Sequence, residues 1–214
     1  KETPWLDGSL PGDRGFDPLG LSKPQEFLQM DLDALDQNKA INKPGDIRGA
    51  MQTKADVVST NSLSPYSEAF GLQRFRECEL IHGRWCMLAT LGIVVSEGLT
   101  GVSWTDAGKV ELAQAQYFNL DLPFDVGTVS WIEFALMLGV EYYRNTELDV
   151  EKRLYPGGVF DPLKLSESAQ IDRLKEAEIK HARFAMVSMF GMGTQALFFN
   201  TGALESLTKF GNLY

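Results

Sequence analysis

The sequence predicts an all-α membrane protein with three transmembrane helices. Two of them form a crossed pair about a local pseudo-two-fold axis, and short amphipathic helices lie beside them. Three observations predict this. Apolar residues collect in three blocks, roughly Trp85–Leu99, Val126–Tyr143 and Ala182–Phe199. Two blocks share one polar pattern: Arg74, Glu79, His82, Arg84, Met87 and Gly92 recur 99 positions later as Arg173, Glu178, His181, Arg183, Met186 and Gly191. The basic residues are also lopsided. Of 20 Lys and Arg, nine lie from Lys1 to Arg76 and eight from Arg144 to Arg183; Arg84 is within the first long helix, the connector after the first block has only Lys109 and the tail only Lys209. This asymmetry follows the positive-inside rule and puts the N-terminus and the last long loop on one side, the C-terminus on the other.

The first 63 residues read as loop, rich in Pro, Gly and scattered charge, with one weak helical stretch near Gln25–Gln37. The first long helix is expected from about Leu72 to Leu99. A connector follows with a short amphipathic helix near Trp104–Ala113, then a second long helix over about Val126–Arg144. "RLYPGGVFDPLKL" is read as a loop, followed by the third long helix, about Ser168 to Asn200, and a last amphipathic turn or two at Ala203–Phe210. No period-2 apolar alternation is long enough for a sheet. This divides the chain into an N-terminal segment, residues 1–71, and a three-helix domain, residues 72–214. Each apolar block lies near the lower limit of the ~17–25 residues that cross a bilayer. Hydropathy alone fits the buried helices of a soluble bundle equally well.

The repeat extends beyond the helices. "PGDRGFDPLGL" (Pro11–Leu21) is echoed by "PGGVFDPLKL" (Pro156–Leu165). Phe16 precedes Glu79 by 63 residues and Phe160 precedes Glu178 by 18, so the first half carries roughly 45 extra residues. Whole-unit repeats imply pseudo-symmetry.

A net charge of −9 argues against a broad basic face for nucleic acid. Cys78 and Cys86 are eight apart on one expected helix, about 12 Å at ~1.5 Å rise per residue. A disulfide needs Cα atoms within ~7 Å, so both are expected as free thiols. The chain opens on Lys1 without Met or leader, the expectation being a processed or trimmed form.

The polar residues inside apolar blocks carry the chemistry. Glu79 and His82, like Glu178 and His181, sit at i, i+3 on one face. Arg84 is rotated about 140° from Glu79 at ~100° per residue, so a contact within the helix is poor. Reciprocal pairing, Glu79 with Arg183 and Glu178 with Arg84, neutralises every charge. One glutamate oxygen then remains for a cation, and neutral His offers a ring nitrogen. A di-iron carboxylate bundle uses Glu-x-x-His twice plus two further carboxylates. Against it stand three long helices only, Glu133 and Glu141 on a single helix, and Arg beside each motif. The other reading is one magnesium per ligand, each already held in a flat macrocycle and needing one axial donor. A membrane ion or proton carrier using the buried Glu is a third. Plain ion pairing would leave two His unexplained, while the Met residues near the motifs are ordinary packing.

"ELIHGRWCML" and "EIKHARFAM", each with an upstream "FDPL", resemble the two signature helices of the light-harvesting chlorophyll a/b-binding family. The likeness covers nearly the whole chain. The long insertion and "EYYRNTELDVEKRLYPGG" are most similar to the family's minor monomeric photosystem II antennas. The resemblance implies a non-enzymatic antenna that binds chlorophyll a, chlorophyll b, lutein, violaxanthin and neoxanthin, passes excitation to photosystem II and takes part in photoprotective dissipation. It implies magnesium ligation by Glu79, His82, Glu133, Glu141, Glu178, His181 and Gln195, with Arg183, Arg84 and Arg144 neutralising Glu79, Glu178 and Glu141. Asp17 with Leu19, Asp161 with Leu163, and Tyr117 match carotenoid contacts. Arg14 and Lys180 match a phosphatidylglycerol site. Implied partners are the photosystem II core and the trimeric light-harvesting complex, with the chain itself a monomeric subunit that binds no nucleic acid. The implied location is the thylakoid membrane of the chloroplast, N-terminus in the stroma and C-terminus in the lumen. One departure stands out: many relatives carry a ligating His in the terminal helix, where this chain has Lys209 and Phe210, its two His being His82 and His181.

Overall fold

The computed structural model describes residues 3, 5–24, 71–114, 116–117, 120–121 and 123–211. The helical stretch expected near Gln25–Gln37, the rest of the insertion, and the side chains of Tyr117 and Phe210 lie outside the described residues. The chain is mostly helical. The elements are α1 (Leu72–Thr100), α2 (Trp104–Gln114), a two-residue hairpin of β1 (Gln116–Tyr117) and β2 (Leu120–Asp121), α3 (Val126–Thr146), α4 (Val150–Leu154), 3-10 turns at Gly158–Phe160 and Leu165–Glu167, α5 (Ile171–Phe199) and α6 (Ala203–Gly211). Gln116 pairs with Asp121 and Tyr117 with Leu120, antiparallel. Neither Cys78 nor Cys86 forms a disulfide, as expected.

Besides shifts of one or two residues at helix ends, two features differ from the sequence reading. The segment after α3 holds a short helix because Asp149 caps it, its carboxylate accepting from Glu151 N at 3.0 Å. The last long helix begins at Ile171, three residues late, because Leu165–Glu167 closes as a 3-10 turn that ends at Ser168.

Two compact units divide the chain: residues 1–78 with 145–172, and residues 79–144 with 173–214. In the first, Leu6 and Leu154 are buried. The guanidinium of Arg153 is buried too: its Nε lies 3.3 Å from Glu77 Oε1, with side chains 3% and 8% exposed. Arg153 Nη2 also donates to Asn145 Oδ1. Beside this pair, Arg76 meets Glu151 at 2.5 Å on the surface.

The first unit also contains both copies of the repeated turn. In one, Asp17 Oδ1 accepts from Leu21 N and Oδ2 from Ser22 N, both at 3.0 Å. In the other, Asp161 Oδ1 accepts from Leu165 N at 3.0 Å and Oδ2 from Ser166 N at 2.7 Å. The fourth residue of each turn is left-handed, Gly20 at φ +64° and Lys164 at φ +52°. For a residue with a Cβ that conformation costs ~1–2 kcal/mol. Lys164→Gly is therefore expected to stabilise the protein by up to about 1 kcal/mol, read as later thermal loss of circular dichroism; glycine's extra unfolded-state freedom takes back part of the gain. An unchanged or lower melting point would mean that the turn gains nothing from glycine.

In the second unit α1 and α5 cross where Gly83 meets Ala182. A Cβ built on Gly83 would lie 3.1 Å from Ala182 Cα and closer still to its Cβ, and Ala182 is 0% exposed. Leu80 and Ile179, one turn earlier on each helix, are buried as well. At the far end of α1, the buried Glu97 carboxylate accepts from Trp104 N (2.9 Å), Ala203 N (3.1 Å) and Leu204 N (2.9 Å). One side chain thus caps the starts of both α2 and α6. A Cβ at Gly202 would fall 2.6 Å from Glu97 Oε1, which explains the glycine there.

Outside these contacts the long helices are apolar and uncovered. α3 has no buried residue, and its Trp131 is 73% exposed. Leu88, Leu91, Phe184, Val187, Phe190 and Phe198 are likewise exposed on α1 and α5. Among the described residues one helix, α1, is by itself long and apolar enough to cross a membrane. The other two long helices are more diluted by polar groups, α3 by Glu133, Glu141 and two tyrosines, α5 by Arg183 and Gln195.

Candidate pigment-ligand site

The crossing of α1 and α5 brings together the motif residues that were 99 apart in sequence. Arg84 Nε donates to Glu178 Oε1 at 2.7 Å. Arg183 Nε donates to Glu79 Oε1 at 2.7 Å, and its Nη2 reaches Oε2 at 3.4 Å. The expectation reserved one glutamate oxygen for a cation, whereas the Arg183 fork touches both oxygens of Glu79. Each carboxylate oxygen has two lone pairs, so the longer contact still leaves Oε2 with donor capacity. The chain covers these groups only in part: Arg183 is 45% exposed and Glu79 33%.

The two histidines lie on the outside of the crossed pair, both exposed, immediately before Gly83 and Ala182. His181 Nδ1 sits 2.7 Å from Ala177 O. A carbonyl can only accept, so Nδ1 carries a proton; a metal-ligating imidazole usually donates one ring N–H in this way and ligates through the other nitrogen. Gln195 is half-buried about four turns further along α5, at ~3.6 residues per turn. Glu133 is exposed on α3, and Glu141, also on α3, is held by Arg144 at 2.6 Å. These donors face outward along different helices and do not converge. Among the described residues no three His, Cys, Asp or Glu side chains gather to hold a metal ion. A bundle that needs a shared di-iron centre does not fit this geometry. Separate, singly coordinated magnesium ions in flat macrocycles do.

The turns carry the other expected contacts. Burial opposes ionisation of Asp17, but hydrogen bonds from Ser22, Leu21 and Trp5 outweigh it and hold its carboxyl below the ordinary aspartate value. Asp161 is lowered by hydrogen bonds from Ser166 and Leu165. With depressed folded-state values, both turns draw stability from ionised aspartate above the ordinary range and lose it as pH falls below. Phe16 and Leu19 in one turn, Phe160 and Leu163 in the other, project into the open beside these carboxylates. Trp5 Nε1 reaches Asp17 Oδ2 at 3.3 Å and Ser22 Oγ at 3.2 Å, a brace that the Asp161 turn lacks among the described residues. Of the two expected lipid contacts, Arg14 is exposed in the first unit, and Lys180 is paired with Glu176 at 2.9 Å on the surface of α5.

Sequence reasoning missed two buried charged positions, one in each unit. Glu97 was read only as the end of an apolar helix, and Arg153 as part of a loop. A lone acid closing an apolar block was the available signal for the first. For the second there was only an unremarkable "EKR".

The sequence model of the family described as Chlorophyll A-B binding protein matches residues 2–197. The chain is 61% identical over 211 residues to chlorophyll a-b binding protein CP29 of Chlamydomonas reinhardtii, covering 97% of this chain and 75% of that protein. It is 54% identical to chlorophyll a-b binding protein CP29.3, chloroplastic, of Arabidopsis thaliana, covering 97% and 76%. Identity to chlorophyll a-b binding protein 6A, chloroplastic, of Solanum lycopersicum is 35%, covering 95% and 67%.

Proposed function

Because the chain belongs to the chlorophyll a-b binding protein family, we propose that it is a light-harvesting antenna of photosystem II, set in the thylakoid membrane of the chloroplast. The observation that carries this reading is the placement of single donors along apolar, uncovered helices, with Glu79, Glu178 and Glu141 each paired to an arginine. In this reading α1, α3 and α5 all span the bilayer, with α2 and α6 at its luminal surface. Residues 1–71 and the segment between α3 and α5 lie in the stroma and the C-terminus in the lumen, in keeping with the basic-residue asymmetry. The chain is not an enzyme, and no bond is made or broken.

Chlorophyll a and b would supply the absorbing ring and its magnesium ion. Glu79, Glu178, His82, His181, Glu133, Glu141 and Gln195 would hold that magnesium. Arg183, Arg84 and Arg144 neutralise Glu79, Glu178 and Glu141 in turn, so that these three offer an oxygen without leaving a net charge in hydrocarbon. His181 is held ready by its Nδ1 contact with Ala177 O. The exposed leucine, phenylalanine and valine side chains around the donors exclude water from the ring faces. Lutein, violaxanthin and neoxanthin are the carotenoids, with end groups at the Asp17–Leu19 and Asp161–Leu163 turns and at Tyr117. Arg14 and Lys180 hold phosphatidylglycerol. The subunit is monomeric and docks to the photosystem II core and the trimeric light-harvesting complex through its stromal insertion. Excess excitation is dissipated through the same pigments.

An absorption spectrum and a chromatographed pigment extract test the proposal together. Paired red and blue chlorophyll bands with xanthophylls in the extract are expected; a colourless protein would favour an ion carrier. At single-site level, His82→Phe is expected to give a folded protein lacking one chlorophyll, since the imidazole holds one pigment while the crossing is set elsewhere. Full pigment stoichiometry in that variant would remove His82 from the ligand set.

A further inference from the structure

Gly83 and Ala182 are repeat-mates, 99 positions apart like the motif residues around them. They also touch each other, so the local two-fold axis passes through this contact. The repeat-mates Leu80 and Ile179, 1% and 3% exposed, pack one turn away, and the Glu79–Arg183 and Glu178–Arg84 pairs flank it. The contact holds a single methyl group. Ala182 supplies it, and the space above Gly83 admits no second one. Small residues let helix backbones approach closely, and here the closeness is limited from one side only.

We propose that Gly83 and Ala182 are positioning residues, a one-methyl spacer that sets the separation of α1 and α5 and thereby the spacing of the pigments on both helices. The inference rests on the pigment-binding reading for its second half only. His82 and His181 directly precede the two spacer residues, and Glu79 and Glu178 lie one turn away, so any widening of the crossing moves all four ligands. Electronic coupling between pigments falls steeply with distance, so spacing is a functional quantity here as well as a structural one. Because the axis relates the two positions, moving the methyl from Ala182 to residue 83 should leave the separation unchanged.

The test uses full-length protein refolded with chlorophyll a, chlorophyll b and xanthophylls. Spin labels go on Leu91→Cys and Phe190→Cys, exposed repeat-mates, in a Cys78→Ala/Cys86→Ala background. Label distance is read by pulsed electron resonance and pigment coupling by the visible circular-dichroism couplet per chlorophyll. Gly83→Ala should lengthen the distance and weaken the couplet, Ala182→Gly should do the opposite, and Gly83→Ala/Ala182→Gly should return both towards wild type. A merely destabilising change at Gly83 would not be rescued by deleting a methyl on the other helix. If Gly83→Ala fails to fold, the Ala182→Gly and exchanged proteins still decide. An unchanged distance in Ala182→Gly, or an exchanged protein no better than Gly83→Ala, overturns the spacer. A distance series that follows the prediction with an unmoved couplet overturns its link to pigment spacing. A label distance that follows the series in protein without pigment supports the spacer and overturns the pigment reading instead.

Discussion

Arg183→Leu is expected to lose its pigment circular dichroism at a markedly lower temperature than His181→Leu, and to refold in lower yield. The histidine change removes a neutral ligand. The arginine change leaves the Glu79 carboxylate, bonded to Arg183 at 2.7 Å, without its counter-charge. The size of the effect reports the medium. If water covered the exposed part of this pair, the pair would be worth ~0–1 kcal/mol. If lipid and pigment cover it, an orphaned carboxylate costs about 2.5–3.5 kcal/mol or more. Rescue should be specific to the crossing. Glu79→Gln removes the orphaned charge, keeps an oxygen donor and should restore part of the stability of Arg183→Leu. Glu178→Gln should not, because its partner is Arg84. A double-mutant cycle isolates the coupling. Equal rescue by both glutamine variants, or by neither, would return these four residues to independent roles.

That pairing was legible in sequence because two local facts constrain it: the 99-residue repeat and the angle that prevents Glu79 from meeting Arg84 on its own helix. The five helices expected over the described residues were legible to within three residues, whereas α4 was not. Other features lacked a local trace. The faces along which α1 and α5 pack could not be read from apolar periodicity, since outward side chains such as Leu88 and Phe190 are as apolar as buried Leu80. Only small residues and charges mark the crossing. Glu97 joins amides 7, 106 and 107 residues away, and side-chain-to-backbone capping at that range has no sequence period. Lys164 is a different case. Its left-handed backbone could be inferred only by aligning "FDPLK" with "FDPLG" and asking what the glycine does.

Arg153→Met should destabilise the protein by about 3–5 kcal/mol, the usual cost of removing one partner from a buried pair. The loss arises mainly from Glu77, whose side chain is 8% exposed and would lose the guanidinium 3.3 Å away. Glu77→Gln should therefore recover part of it. The pair is not ideal, however: the Nε and Nη1 groups of Arg153 are buried without hydrogen-bond partners. Desolvation of a guanidinium satisfied chiefly through Asn145 offsets much of the attraction, and buried pairs replaced by apolar side chains of similar size are often neutral or stabilising. Arg153→Met/Glu77→Leu should thus melt close to wild type or above it, although it deletes more polar contacts than the single variant. The neighbouring Arg76–Glu151 pair provides the contrast. Its carboxylate is more than half exposed, so Glu151→Gln should cost no more than about 1 kcal/mol. Thermal melts followed by circular dichroism separate these outcomes. If the double apolar variant falls as far as Arg153→Met, specific polar bonding holds this cluster. If it recovers, what Arg153 contributes is the neutralisation of Glu77.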